Sequence, residues 1–431
     1  DFFPSVALAW RMNDESFLRE VDWLSNLKLR LSWGNSGNTA ISEYATQGAL
    51  GKYVYYFGTT EQSAMGYLPT ELANNQLGWE STEEYNVGVD FGFLNNRISG
   101  SIDGYIRNTR DLLMKRNLPI NTGYEFTWQN VGKTRNSGIE IALNTVPVVT
   151  KDFRWTVDLT FGYNKNEIVE LFNGKEDSPG NKWFIGQPLY VERLYKYIGV
   201  WQYGEKEEAA KYGREPGNPK IEDVNNNGVY DEGDLHTFNK IPKWTAGLST
   251  GFYYKNFDLT IFLYGSYGNK AMNYLSRRIT NPNSSGNVHA SVANHARLGY
   301  LDGNSDNTDV WNMYILPGSN GLCRMSVNDA NDNDRISSRY VEDASFLRIQ
   351  NIALGYTLPK NWLKKLKIEN ARIYANIKNV YTFTGYDGYD PEIGSTQAQY
   401  SYSGQSMLMY GVDTGRCPSP RIYTFGIDLT F

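Results

Sequence analysis

Apolar side chains recur at every second position through most of this chain. In its last stretch Tyr423, Phe425, Ile427, Leu429 and Phe431 share one parity, and Thr424, Gly426, Asp428 and Thr430 share the other. A period of two is that of a β-strand with one apolar face. The same alternation runs through Leu27, Leu29, Leu31 and Trp33, through Val87, Val89, Phe91 and Phe93, and through Trp155, Val157, Leu159, Phe161 and Tyr163. Such segments predict eleven strands, at about 4–12, 24–35, 84–93, 97–108, 136–146, 153–165, 243–253, 257–268, 345–357, 370–383 and 420–431. The phase slips between Ile349 and Ile352, which predicts a β-bulge near Gln350–Asn351. One helical turn is expected at Trp362–Leu366.

The connections sort by length. Residues 13–23, 94–96, 147–152, 254–256 and 358–369 are short; 36–83, 109–135, 166–242, 269–344 and 384–419 are mostly long. A soluble sandwich has no reason to alternate in this way. A bacterial outer-membrane barrel does, with short periplasmic turns and long outer loops. Each strand is also close to the ~9–11 residues that cross a bilayer at a tilt. The fold class expected is therefore all-β: a transmembrane antiparallel barrel whose apolar face meets lipid. Single-chain bacterial barrels have even strand counts. An odd count implies part of a larger barrel, most simply eleven of about 22 strands, a size whose lumen is plugged. On this reading residues 1–431 form one unit, the C-terminal half of a barrel, and the plug lies outside it.

Composition narrows this picture. No run approaches ~20 apolar residues, so no helix of this chain spans a membrane. Tyr (32) and Trp (11) are abundant, which suits membrane–water girdles and equally suits surfaces that recognise sugars or peptides, so the enrichment alone decides little. The net charge is -5 with no basic stripe, which argues against nucleic acid as a partner. The chain begins at Asp1 rather than Met, so it is expected to be processed or to be a piece of something longer.

The sharpest chemical motif is Asp223-x-Asn225-x-Asn227-Gly228-x-x-Asp231-x-x-Asp234. Oxygen ligands at positions 1, 3, 5, 9 and 12, with Gly at 6, follow the calcium loop of EF-hands, and the Val229 carbonyl would serve position 7. Asp in place of Glu at position 12 is a shorter arm. The bland alternative is an Asn/Gly-rich turn without metal. A bound calcium would stiffen the 166–242 loop and do no chemistry. Cys323 and Cys417 both fall in expected outer loops, and an oxidising compartment would let them pair. Loop aromatics, among them Tyr124, Trp128, Trp183, Trp201, Tyr267, Trp311, Tyr386, Tyr389, Tyr400 and Tyr402, suit either stacking on a ligand or packing of the loops. Of these, Tyr124, Trp128, Trp183, Tyr386 and Tyr389 are taken as candidate ligand or lid contacts. The three histidines, His236, His289 and His295, have no zinc spacing, and no nucleophile elbow or P-loop is present. No catalytic residue is singled out, so the chain is not expected to be an enzyme.

Several segments resemble one family. They are Phe2–Trp10 (FFPSVALAW), Asn130–Glu140 (NVGKTRNSGIE), Asp223–Asp231, Phe346–Pro359 (FLRIQNIALGYTLP), Gly385–Glu392 (GYDGYDPE) and the terminal strand. Together, in this order, they resemble the C-terminal half of the SusC/RagA family of TonB-dependent outer-membrane transporters. The resemblance implies a location in the cell outer membrane, with the bilayer as solvent. It also implies an upstream plug, coupling to the TonB complex through that missing region, and a SusD-like surface lipoprotein as a lid. The cargo would be oligosaccharides or peptides, and a dimer of transporter–lid pairs is compatible with it. Phe431 would be the aromatic signal read by the barrel-assembly machinery. The competing expectation is a structural or adhesive barrel that displays its loops and transports nothing.

Overall fold

The computed structural model describes residues 2–39, 44–57, 62–281, 286–307, 309–319, 321–325, 337–364, 368–393 and 410–431. Eleven strands form one sheet: β1 (Ser5–Arg11), β2 (Leu24–Asn38), β3 (Glu80–Phe93), β4 (Ile98–Arg110), β5 (Lys133–Val149), β6 (Phe153–Glu170), β7 (Trp244–Tyr254), β8 (Phe257–Tyr267), β9 (Phe346–Thr357), β10 (Asn370–Thr384) and β11 (Ile422–Thr430). Each pairs antiparallel with its neighbour in sequence, so the sheet is an up-and-down meander with β1 and β11 at its edges. All eleven expected strands are present. Several run further than the apolar alternation, with 17 residues in β5 and 18 in β6. Their added ends are charged, as at Lys133 and Arg135 on β5 and Glu167 and Glu170 on β6, so they extend the wall beyond the apolar band.

Register turns the alternation into a continuous surface. Leu31 faces Val87, Val89 faces Ile102, Ile102 faces Ile141, and Ile141 faces Phe161. Leu159 faces Leu248, Leu248 faces Leu263, and Leu263 faces Ile349. Leu354 then faces Ala375, which faces Phe425. No protein covers this face: Leu8 is 66% exposed, Ile102 45% and Phe425 81%. An apolar surface of this extent belongs against lipid. The expected bulge is present, with Gln350 inserted between the partners of Phe262 and Leu263. A second, not anticipated, falls between the partners of Trp155 and Val157 on β5, around Pro147. Proline has no N–H for the ladder, so the strand must step around it.

The other parity is polar and cross-braced. Arg30 donates to Asp90 (3.0 Å) and to Asp103 (2.9 Å), reaching over Gly88 on the strand between. Arg372 reaches over Gly355 to Asp258 in the same way, at 3.0 Å from Nε. A Cβ on either glycine would run into both charged partners. These braces line the concave, lumen side of the wall.

The long connections are not irregular. Ala49–Phe57, Gln62–Leu72, Phe126–Asn130 and Leu113–Asn117 make a four-stranded sheet across the first two outer loops. Lys270–Asn273 lies between Val341–Asp343 and Val412–Asp413, joining the last two. The helical turn expected at 362–366 is found at Lys360–Leu363; residues 365–367 lie outside the described ones. Buried apolar clusters sit in the outer layer rather than in the wall: Val200 with Ala296 and Cys323, Ala271 with Ala344 and Tyr386, and Met272 with Tyr340 and Val412.

One side chain fastens that layer to the wall. Arg348 of β9 points to the lumen side and is 4% exposed. It donates to Thr382 Oγ1 (2.9 Å), Asp390 Oδ1 (2.5 Å) and Glu392 Oε2 (2.6 Å). Burial acts to raise the Asp390 carboxyl. The backbone N–H groups of Glu392 and Ser419, with Arg348, more than offset it, and the carboxyl sits below its usual range.

Two outcomes follow. Replacing Leu248, midway along the apolar band, by Arg should cost about 2–4 kcal/mol, while Ser249→Arg on the opposite parity should cost little; urea midpoints of vesicle-folded protein measure both. The Asp390 carboxyl is depressed, so its contribution is complete above the ordinary carboxylate pKa near ~3.9 and is lost as pH falls through the lower native value. Amide protection of residues 386–393, corrected for intrinsic exchange, should stay level from neutral pH to pH ~5 and collapse below pH ~4. Arg348→Met should abolish that protection at all pH values, because stripping one partner from a buried pair costs about 3–5 kcal/mol.

Candidate functional site

The Gly385–Glu392 segment reaches its position through buried polar contacts. The Tyr386 hydroxyl donates to Asp413 Oδ2 at 2.7 Å, and Glu342 accepts from Asn273 Nδ2 (2.8 Å) and from the Asp387 backbone N–H (2.9 Å). Burial first, then the Asp413 carboxylate, hold the Tyr386 hydroxyl far above its ordinary pKa, so it stays a donor. Tyr386 is 6% exposed. This corrects its assignment as a ligand or lid contact: its ring fills the core of the outer layer. Tyr389, three residues on, is exposed and remains available.

Beside this segment three outer loops border an open polar cavity of about 430 Å³, with Tyr197, Ser276, Thr280, Arg339, Glu342 and Asp387 in its lining. The Arg339 guanidinium lies 5.9 Å from the Tyr197 ring centre and 5.2 Å from that of Tyr340. A cation held on aromatic faces, near carboxylates and hydroxyls, offers both donors and acceptors to a polar ligand. Sequence reasoning missed this site, since its residues come from positions up to 190 apart in three loops and share no spacing.

The Asp223–Asp234 loop adopts much of the geometry its spacing implies. Gly228, sixth in the loop, has φ +81, the left-handed turn that position requires. Asp223 Oδ2 accepts from Gly228 N (2.9 Å) and from the Tyr212 hydroxyl (2.9 Å), and Asn225 Oδ1 accepts from Asn227 N (3.0 Å). Asp234 is fully buried and ties the loop ends, accepting from Val224 N (2.8 Å) and Asp231 N (3.0 Å). Burial acts to raise the Asp223 carboxyl, but the Gly228 N–H and the Tyr212 hydroxyl more than offset it and hold it low. Burial and then Asp223 push the Tyr212 hydroxyl up to about 12. Asp223 Oδ2 thus accepts twice, whereas Asn225 Oδ1 and the two Asp234 oxygens each accept once here and keep a second lone pair. Among the described residues no three His, Cys, Asp or Glu side chains gather as a metal cluster. An ion held here would have to draw on the amide oxygens of Asn225 and Asn227 and the Val229 carbonyl, oxygen donors of the kind a hard cation takes.

The remaining candidates divide. Trp128 is half-buried with Lys115 Nζ 5.2 Å from its ring centre; Tyr124 and Trp183 are half-buried as well. Trp201 is a packing residue, 3% exposed and stacked on Tyr212 at 5.8 Å. Tyr267 stacks on Trp244 (5.3 Å) at the end of the apolar face and belongs to the interfacial belt. Trp311 is exposed beneath Lys206, and Tyr400 and Tyr402 lie outside the described residues. The expected disulfide is not formed. Cys323 is buried beside Val200 and Ala296, with Sγ 3.9 Å from the Tyr197 hydroxyl, whereas Cys417 is exposed. Burying Cys323 in an apolar cluster separates it from a solvent-facing partner. Phe431 lies one residue beyond β11 and is exposed.

Comparison with known proteins agrees with this architecture. Residues 1–380 match the family model described as TonB dependent receptor-like, beta-barrel. TonB-dependent receptor P3 of Formosa agariphila is 31% identical, covering 100% of this chain and 42% of that protein. TonB-dependent receptor SusC of Bacteroides thetaiotaomicron is 30% identical, over 100% of this chain and 40% of its own length. The structure of the RagAB peptide transporter superposes with a TM-score of 0.75 at 26% identity, covering 100% of this chain and 43% of that one. The chain thus spans about two-fifths of the length of these relatives. With its lipid-facing meander, short turns on one rim and a folded loop layer on the other, it belongs to the TonB-dependent receptor β-barrel family of the outer membrane, among relatives that include SusC and RagA.

Proposed function

We propose that this chain supplies the C-terminal half of the wall and the capture loops of a TonB-dependent importer of oligosaccharides or peptides, working with a SusD-like lipoprotein lid. The observation that carries this reading is the match over the whole chain, wall and outer loops together, to SusC and to a peptide transporter. The polar cavity beside Arg339 and Asp387 supports it as a place where a ligand with mixed hydrogen-bonding groups is held before passage. The wall and loops select and orient cargo. Energy reaches it through the plug and TonB, which are contributed from outside these residues.

Cells that depend on the intact transporter test the reading. Uptake of labelled oligosaccharide or peptide should disappear on deletion of the gene and on inactivation of TonB. Asp387→Asn and Arg339→Gln should each weaken capture about tenfold, the equivalent of about 1.4 kcal/mol, without changing barrel assembly. Uptake of neither ligand class, or uptake indifferent to TonB, would favour a structural or adhesive barrel instead.

The same reading gives the Asp223–Asp234 loop a calcium ion that stiffens the outer connection between β6 and β7. Protein stripped with chelator should take up calcium in a calorimetric titration, and Asp223→Ala should remove that uptake. Protease cleavage within 223–234 should accelerate in the stripped protein. A stripped loop that resists protease as well as the calcium-loaded one would assign the motif to turn geometry alone.

A further inference from the structure

The rim opposite the outer loops carries a charge pattern that neither the wall nor the capture site uses. Its last three turns lie side by side. Lys255 N donates to Asp152 O at 2.9 Å, and Thr357 N donates to Asn256 O at 2.9 Å. These turns present Lys151, Lys255, Lys360 and Lys364, all exposed, against the acids Asp152 and Glu369. None of the four lysines has a carboxylate partner among the described residues. The first connection on the same rim is the reverse, with Asp14, Glu15, Glu20 and Asp22 against Arg19. On this rim the basic residues outnumber the acidic ones at the last three turns and the acidic ones outnumber the basic at the first, in a chain whose net charge is -5.

The lysines stand at a defined level relative to the membrane. Just inside them Phe153 faces Tyr254, Tyr254 faces Phe257, and Phe257 faces Tyr356 on the lipid-facing parity. Such an aromatic row marks the headgroup boundary. Lys255 Nζ lies 5.4 Å from the Tyr254 ring centre. In the Lys360–Leu363 helical turn Leu363 is buried and Trp362 is 65% exposed. An exposed Trp flanked by lysines, at the level of an aromatic belt, is an interfacial arrangement: ring among the headgroups, ammonium groups at their phosphates.

We propose that these three turns form a binding surface for anionic phospholipid headgroups of the periplasmic leaflet, with Lys151, Lys255, Lys360 and Lys364 meeting phosphate and Trp362 as the apolar anchor. The occupant is set by charge complementarity and by the aromatic row, which puts the lysines at phosphate depth. The proposal rests on the placement of the sheet in the outer membrane and is independent of what the protein imports.

The test uses the full-length transporter released from membranes into detergent. Native mass spectrometry then follows retention of phosphatidylglycerol and phosphatidylcholine. Wild-type protein should retain phosphatidylglycerol at least tenfold in preference, and the preference should fall as salt rises. Each Lys→Gln change should lower it about fivefold, the equivalent of about 1 kcal/mol per basic residue at an anionic surface. The fourfold Lys→Arg variant should keep it. All variants should still migrate as folded barrels in unheated gels, which separates loss of lipid from loss of fold. Equal retention of the two lipids would overturn the proposal, as would a fourfold Lys→Gln variant that keeps the preference. Displacement of the lipid by inorganic phosphate at equal concentration would reduce the surface to a simple anion site. Tighter binding of a soluble polyglutamate peptide than of phosphatidylglycerol would assign it to an acidic protein segment.

Discussion

Every backbone N–H and C=O that enters hydrocarbon must find a partner within the protein, because no water is there to replace it. That constraint accounts for the continuous antiparallel ladder of this sheet, for its sequential strand order, and for the placement of its bulges. A ladder running from Val6 opposite Trp33 to Ala375 opposite Phe425 satisfies the backbone strand by strand. It leaves side chains only two directions. The outward parity must then be apolar, and the inward parity is free to be polar. β1 and β11 each leave one side of the ladder open, so closure within a bilayer requires further strands beside them.

The inward parity uses its freedom for cross-braces rather than for a core. Arg30 and Arg372 each span two strand spacings to reach an aspartate, and each crosses a glycine. The glycines leave the gap through which a guanidinium lies flat along the wall. A wall of this kind has no apolar interior of its own. The buried apolar clusters therefore collect above it, where Ala271, Met272, Ala344, Tyr340, Tyr386 and Val412 come together from separate loops.

This division explains what the sequence revealed and what it hid. A period of two survives in every wall strand because lipid and lumen impose opposite demands on successive residues. Strand existence and order were legible for that reason, and so was the phase slip at Gln350. The Pro147 bulge was missed because only Val148 and Val149 follow it on the strand, too few to show that the lipid-facing parity moves from Thr145 to Val148. The loop layer follows no period. Tyr386 looked like an exposed aromatic in a Gly- and Asp-rich segment, yet it is buried against Asp413. Cys323 and Cys417 looked pairable by compartment and loop position, but burial of one and exposure of the other separate them. The calcium-like loop was readable because its turn geometry is local: Gly228 and the Asx contacts depend on neighbours within twelve positions.

The outer layer is held by contacts that resist piecemeal opening. Arg348 binds Asp390 and Glu392 from the wall, Lys240 binds the buried Glu192 at 2.8 Å, and Lys182 binds the other oxygen of Glu192 at 2.7 Å. Lys270–Asn273 hydrogen-bonds to strands from two other stretches of the chain. Removing one member of such a set leaves a charge or a strand edge stranded, so local release costs more than any single contact is worth. The layer therefore presents the cavity beside Arg339 as a preformed surface, and the chain entropy of the long loops is spent on folding rather than on each binding event. On the proposed function, a ligand captured there would meet lining groups already in place.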